Sequence, residues 1–302
     1  MISLPNFVRR LKSPFTYNIG FIEITPEELV KERGFGKRKI HWMSHKYIDR
    51  WFADPFILDV KEGIITVLAE EKRYGIPGTL VRLDIDSKSY RLVKRTTILG
   101  LNTHLSYPNP IRVGEKVFVY PENSASGNLK IYKLVNGSAL KYECTLISEP
   151  LNDSSIFYNP IDHHYYLIAT NTDLSPHNYT LLFRSKSILG QWQRLNQNPI
   201  INDSHVARPG GNFFRIGDSL YRPAQDCFDS YGKFLHIMRV NNINPWIEEE
   251  LFNIHPSDKK YSEGLHTLNF HDSGLAVIDG NGYAYPFLGK TIGALIEKIL
   301  HH

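Results

Sequence analysis

The sequence predicts an all-β fold, a five-bladed β-propeller with four-stranded antiparallel blades, and three observations carry that prediction. The 302 residues include seventeen Tyr and sixteen Phe, side chains that pack well on pleated, half-buried strand surfaces. Between 54 and 150 the chain breaks into short apolar runs separated by Gly, Asn, Pro and Asp turns, with almost no helical periodicity. A four-strand unit then recurs. Its openings are "ADPFI" (Asp54), "LSYPNPI" (Ser106), "LNDSSIFY" (Asp153), "VARPGGNFF" (Arg208) and "GLHTLNF" (His266), at steps of 52, 47, 55 and 58 residues. A repeat of this period marks a propeller or other repeat architecture.

Taken in order, residues 1–50 form an N-terminal extension in which "TYNIGFIEI" and "KIHWM" read as strands. Between them "TPEELVKER" places Thr25 as N-cap, Pro26 at the first helical position and Glu28 three residues after the cap. This capping box predicts one short helix. Blades follow near 51–100, 101–150, 151–202, 203–258 and 259–285. The second contains Asn136-Gly137, a type I′ hairpin dipeptide, because both central residues need positive φ. The fifth block runs short of strands after "AVIDG", so the two N-terminal strands are expected to complete it and close the ring. The propeller is bounded at 51–288. The tail 289–302, with "TIGALIEKIL", is read as a packed terminal helix; with Arg9, Arg10 and Lys12 it also offers a peripheral membrane contact.

Composition excludes several classes. Net charge is +4, and Lys and Arg are scattered among acids rather than gathered in a stripe, so nucleic acid is not an expected partner. The one basic cluster, "FGKRKIH" at 35–41, reads as a solvated segment. Cys144 and Cys227 show neither CxxC spacing nor a disulfide framework. With no apolar N-terminal core and no run of membrane-spanning length, the expected location is the cytoplasm, with the inner membrane face as the surface within reach. There is no Walker A sequence, no GxGxxG and no GxSxG elbow. "DGNG" at 279–282 reads as a turn, and His104 and His266 lack the spacing of a transition-metal motif.

In a propeller the innermost strands open near one mouth of the axis, so the polar residues beginning each block are expected to converge in one funnel. These are Asp54, Ser106 with Tyr107, Asp153, Arg208 and His266. The second strand of each block ends in polar residues too: Glu70 and Glu71, Glu122, Asn171 and Asp173, Gln225 and Asp226, and Asp279. Glu70 follows Asp54 by 16 and Glu122 follows Ser106 by 16, which reads as equivalence. The competing reading for each opening residue is a turn cap. Arg208 and Arg222 both precede proline, and their planar forks suit a bidentate anion; a buried pairing with Asp226 or Asp153 is the alternative. Of the nearby aromatics, Tyr107 and Tyr231 are the expected sugar-stacking faces, ahead of Trp51 and Phe52.

"ADPF" and the Asp-opened third block resemble the five-bladed glycoside hydrolases of the arabinanase, xylosidase and invertase type. More specifically, "FADPFIL", "HLSYPNPI", "YPEN", "ARPGG", "RPAQDCFDSYG" and "GLHTLN" resemble the propeller region of the glucosamine inositolphosphorylceramide transferase group over roughly residues 50–280. In that group the propeller accompanies a separate transferase domain. The hydrolase resemblance implies an Asp in blade one as base or nucleophile, an Asp in blade three that orients sugar, and a Glu opening blade four as acid. Asp54 and Asp153 match the first two. The third position holds Arg208, which stays protonated and cannot donate, leaving Glu122, Glu70 and Glu71 as candidates for the acid. The resemblance also admits an ion on the axis beside His266.

The catalytic set expected from the sequence is therefore Asp54, Asp153 and Glu122. Glu71, His104, Ser106, Tyr107, Arg208, Arg222, Gln225, Asp226, Tyr231 and His266 are the expected substrate contacts. The function expected is glycosyl transfer involving a phosphate-bearing or otherwise anionic sugar or glycolipid, in surface polysaccharide or glycolipid synthesis. A furanosidase-like hydrolase and a non-catalytic glycan or glycolipid binder are the alternatives.

Overall fold

The computed structural model describes residues 15–73 and 75–283; the expected tail at 289–302 and Arg9, Arg10 and Lys12 lie outside them. The chain begins with β1 (Phe15–Glu23), α1 (Pro26–Glu32) and β2 (His41–Trp42). The capping box forms as expected: the Thr25 hydroxyl accepts from the Glu28 N–H, and the Glu28 carboxylate accepts from the Thr25 N–H. Among the described residues no helix is long and apolar enough to cross a membrane.

Blade one is β3 (Arg50–Lys61), β4 (Ile64–Arg73), β5 (Thr79–Asp86) and β6 (Leu92–Leu99). Blade two is β7 (Ser106–Val113), β8 (Lys116–Glu122), β9 (Leu129–Val135) and β10 (Ala139–Ile147). Blade three is β11 (Leu151–Asn159), β12 (His164–Asn171), β13 (Ser175–Ser185), β14 (Gln193–Arg194) and β15 (Ile201–Asn202). Blade four is β16 (Arg208–Pro209), β17 (Phe214–Ile216), β18 (Ser219–Gln225), β19 (Leu235–Asn242) and β20 (Ile247–Ile254). Blade five pairs β21 (Leu268–His271) with β22 (Leu275–Tyr283), and then β22 with β1 and β1 with β2. The ring is thus closed by strands from the two ends of the chain, as the shortened fifth block predicts. Asn136 and Gly137 both take positive φ in the β9–β10 hairpin.

Alternation along each strand sends successive side chains into different layers. On β4, Val67 and Ala69 enter the layer between blades five and one, with Phe21, Phe52 and Val277, while Leu68 enters the layer between blades one and two, with Leu105 and Val119. Three further layers fill the remaining seams: Phe118, Leu151 and Leu167; Phe157, Leu182 and Leu220; Ile22, Ile237 and Leu268. Apolar burial is spent between blades, which leaves the innermost strands to present polar groups to the axis.

Three innermost strands carry the same irregularity. The ladders skip between Ala53 and Phe56, Ser106 and Asn109, and Asn152 and Ser155, so two residues on the inner strand oppose one on its neighbour, a β-bulge. The first bulged residue has positive φ each time: Asp54 at 50°, Tyr107 at 46° and Asp153 at 45°. Such backbone is uncommon outside glycine, and for a bulky residue like Tyr107 it is a true outlier. The equivalence read from the sequence is therefore shifted by one. Glu70 and Glu122 correspond, being laddered to Ala53 and Ser106, but Tyr107, not Ser106, occupies in blade two the place that Asp54 holds in blade one.

Candidate functional site

The bulges turn three backbone N–H groups onto carboxylates of the preceding blade. Asp54 N donates to Asp279 Oδ2 at 3.1 Å, Tyr107 N to Asp54 Oδ2 at 3.0 Å, and Asp153 N to Glu122 Oε2 at 3.2 Å. Acidic residues from blades five, one and two are thereby bound to the next blade round the axis. Beside them is a polar network that touches all five blades. Asn269 Nδ2 donates to the Pro55 carbonyl, Asn212 N to Asn269 Oδ1, and Asn109 Nδ2 to both Asn212 Oδ1 and the Ser154 carbonyl. Gly211, at φ 145°, makes the close approach this network needs: a Cβ there would lie 2.0 Å from the Leu268 carbonyl oxygen. These asparagines recur in the block openings "PNPI", "GGNFF" and "TLNF", a signal that the choice of acidic and basic candidates passed over.

Two cations sit among the carboxylates. His266 lies between Asp54 and Asp279, with Nε2 3.2 Å from Asp54 Oδ1 and Nδ1 2.9 Å from Asp279 Oδ1, the second contact out of line for a hydrogen bond. Burial alone would lower its pKa, but the Asp279 and Asp54 carboxylates outweigh burial and raise it well above the ordinary imidazole value. The cationic ring thus supplies the positive charge these two buried acids need, and Asp279 Oδ1 is already the acceptor for the His266 and Thr267 N–H groups. Tyr17 packs edge-on to His266 at 5.3 Å, its hydroxyl pushed up to about 12 by burial.

The second cation is Arg208. Its Nε donates to Asp153 Oδ2 at 2.6 Å, its Nη2 to Glu122 Oε2 at 3.2 Å and its Nη1 to the Pro176 carbonyl at 3.2 Å. Gln225 Nε2 adds a 2.6 Å bond to the same Asp153 oxygen. Burial would raise the Asp153 pKa, but Arg208 holds it below the ordinary carboxylate value. Glu122 goes the other way: burial first, then the charge of Asp153, raise it well above the usual range in spite of Arg208. Glu70 is likewise raised, by burial and by the charge of Asp54. Burial and neighbouring charge thus act in opposite directions within one site, Asp153 held below and Glu122 and Glu70 raised above the ordinary carboxylate value.

Asp54 completes the set. All its side-chain partners are donors: the Tyr107 N–H, the Thr267 hydroxyl at 3.2 Å and the His266 ring. A carboxylate offers about four lone-pair positions, and the Thr267 hydroxyl fills one of them only in part, since its single proton is shared with Asp279 Oδ2 at 2.9 Å. Tyr231 covers Arg208, with the guanidinium 5.1 Å from the ring centroid, and is 42% exposed.

Several expected contacts are taken up by other partners. Tyr107 is fully buried, edge-on to Phe56 and bonded to Ser155 Oγ at 3.0 Å, so it is no stacking platform. Phe52 is core, and Trp51 packs on Tyr17. Ser106 is buried at the start of β7. His104 accepts the Gly78 N–H at Nδ1, which leaves Nε2 as its N–H, 3.4 Å from Glu70 Oε1; burial lowers its pKa. Arg222 pairs with Glu248 of β20 through two bonds and with the Val206 carbonyl, so its fork is neither free nor paired with Asp226 or Asp153. Asp226 is held by His205 and His236.

Glu71 faces away from Glu70 and is gripped by Arg50, Arg73 and Arg95. Three guanidinium groups on this carboxylate, offset among the described residues only by Asp49 on Arg50, leave positive charge over. A cleft of about 600 Å³ lined by Ser44, His45, Lys46, Tyr47, Arg91 and Arg95 opens here. An adjoining cleft of about 500 Å³ shares Ser44, His45 and Tyr47 and reaches Tyr17.

The family model described as "Glucosamine inositolphosphorylceramide transferase 1, N-terminal" matches residues 43–264, from the end of β2 through blade four. The chain belongs to this family. It is 32% identical over 143 residues to glucosamine inositolphosphorylceramide transferase 1 of Arabidopsis thaliana, covering 45% of this chain and 18% of that one. For the protein of the same name from Oryza sativa subsp. indica the values are 34% over 149 residues, 46% and 19%. The chain thus spans less than a fifth of the length of these relatives. In fold it is similar to an α-L-arabinofuranosidase from Podospora anserina, solved with cellotriose, at TM-score 0.55, 8% identity and coverage of 78% and 92% of the two chains. A β-xylosidase/α-arabinofuranosidase from a compost metagenome, solved with xylotriose, gives 0.52, 12%, 74% and 83%.

Proposed function

We propose that the axial funnel binds a sugar and transfers a glycosyl group, on a substrate that carries phosphate or another anion. The observation behind this reading is the coexistence, around one axis, of the Asp54 carboxylate, with donors on every contact, and of Glu122, raised by burial and by Asp153. One group is suited to take a proton from an acceptor hydroxyl and the other to give one to a leaving oxygen. Arg208 has another task than the one its sequence suggests: it keeps Asp153 ionised and fixed, and Asp153 with Gln225 presents a rigid polar wall. Tyr231 offers the apolar face of the sugar a ring. The anionic part of the substrate is met by the cleft of Lys46, Arg91 and Arg95, where cations exceed acids.

Family membership supports carbohydrate chemistry on a phosphate-bearing lipid, since the relatives' name is that of a glucosamine inositolphosphorylceramide transferase. Glu122 also favours a second reading, hydrolysis, because it supplies the acid that Arg208 in blade four cannot. Incubation with a panel of nucleotide sugars, sugar phosphates and aryl glycosides, with and without a lipid acceptor, separates the readings. Transfer predicts an acceptor-dependent product that Asp54→Asn reduces by at least about 100-fold, the lower range for a lost general base. Free sugar without acceptor dependence selects hydrolysis. Binding without turnover, unchanged in Asp54→Asn, would overturn both in favour of a binder.

A further inference from the structure

Outside the funnel, blade four brings together two imidazoles and a carboxylate that the proposed chemistry does not use. His205 Nδ1 lies 2.7 Å from Asp226 Oδ2, and His236 Nε2 lies 3.1 Å from the same oxygen. All three donor atoms fall within 4.8 Å of one another. We propose that His205, Asp226 and His236 form a binding site for a divalent transition metal of the zinc class. Two histidines and one carboxylate on one side of an ion, with positions left open, are a recurrent ligand set for such metals, and imidazole donors disfavour magnesium and calcium.

A second observation independently points to a ligand. The other nitrogen of His236, Nδ1, lies 2.9 Å from Glu250 Oε2. A carboxylate behind a ligating histidine fixes the ring proton on the far nitrogen and leaves the near lone pair for the metal. Here it would set Nε2 towards the cluster. Asp226 is oriented as well, because Oδ1 accepts the Phe228 N–H at 3.2 Å. His205, against Phe228 at 4.5 Å, is half-exposed, so the open positions face solvent. The cluster of Asp54, His266 and Asp279 is of similar size but differs in kind: its oxygens already accept four backbone N–H groups and the Thr267 hydroxyl.

The position gives the ion a consequence. The 227–233 excursion leaves β18 at Asp226 and returns where Lys233 N bonds the Asp226 carbonyl at 3.0 Å, and it carries Tyr231. An ion on Asp226, His205 and His236 would pin this excursion to β19 and to the segment before β16, holding Tyr231 over Arg208.

The test is metal uptake by the full chain after removal of metal with a chelator, titrated with Zn²⁺ and, for its visible spectrum, Co²⁺. The terminal His301 and His302 are replaced by Ala in a parallel sample to remove their contribution. The expected result is one equivalent bound in both samples, abolished by His205→Ala, with millimolar Mg²⁺ or Ca²⁺ failing to compete. Glu250→Gln should weaken affinity about 10- to 100-fold, the usual effect of losing an outer-shell partner, whereas a purely hydrogen-bonded triad would take up no metal to weaken. No uptake by the unaltered chain, or uptake undiminished in His205→Ala, overturns the proposal.

Discussion

Replacing Arg208 by Met removes the cation shared by Asp153 and Glu122 while keeping an apolar stem of similar length. The structure sets the magnitude. Arg208 is 6% exposed and Asp153 2%, so the variant leaves a buried carboxylate with its Gln225 bond but without its paired guanidinium. Removing one partner of a buried pair in this way costs about 3–5 kcal/mol. At roughly 2–4 °C per kcal/mol for a chain of this size, the melting temperature should fall by about 6–20 °C. The sign with pH follows from Asp153, whose folded pKa is depressed: its contribution is present above the unfolded value of 3.8 and is lost as pH falls through the folded value. The deficit of Arg208→Met should therefore be large at pH 7.5 and shrink towards pH 4 and below. Adding Asp153→Asn removes the orphaned charge and should recover most of the loss. Urea unfolding of the four proteins of this cycle at both pH values gives the comparison. A single variant within about 1 kcal/mol of the parent, or a double variant no more stable than Arg208→Met, would refute this assignment of Arg208.

Two further outcomes follow from the axis. Burial raises the pKa of Glu70 above its unfolded value of 4.5, so the stability it contributes is fully present below that value and is lost as pH rises through the folded pKa. Glu70→Gln, which cannot ionise, should match the parent near pH 4 and melt progressively higher than it as pH rises; a constant offset would contradict the burial argument. Gly211→Ala places a Cβ 2.0 Å from the Leu268 carbonyl at φ 145°, and strain plus overpacking should cost upwards of about 2 kcal/mol. A variant as stable as the parent in urea would mean that blades four and five are not held as described.

Much of this architecture was legible in the chain because a repeat of about fifty residues with hairpin turns has few physical solutions, and a shortened last block calls for strands from the other end. The funnel was legible in part. Asp54, Asp153, Glu122, Arg208, Gln225 and His266 do meet, but Tyr107 takes the place that spacing assigns to Ser106, because a bulge adds a residue that apolar patterning does not reveal. Arg222 and Asp226 fail for a reason the sequence did contain. They lie three residues before and one residue after Gln225, odd offsets that place them on the opposite face of a strand. Glu71 is excluded from the axis by the same rule relative to Glu70. The partners that decide charge, such as Asp54 beside His266 or Glu122 beside Arg208, come from different blades, and only the closed ring sets them against one another.

The proposed transfer requires a sugar held at the mouth of the axis by the carboxylates gathered there. A crystal structure of the chain soaked with a substrate selected by the turnover panel tests this most directly. The prediction is a sugar ring against Tyr231 with an oxygen within about 2.6–3.2 Å of Asp54 or Glu122. A fully occupied ligand bound only on the outer strands, with the funnel unchanged, would contradict it.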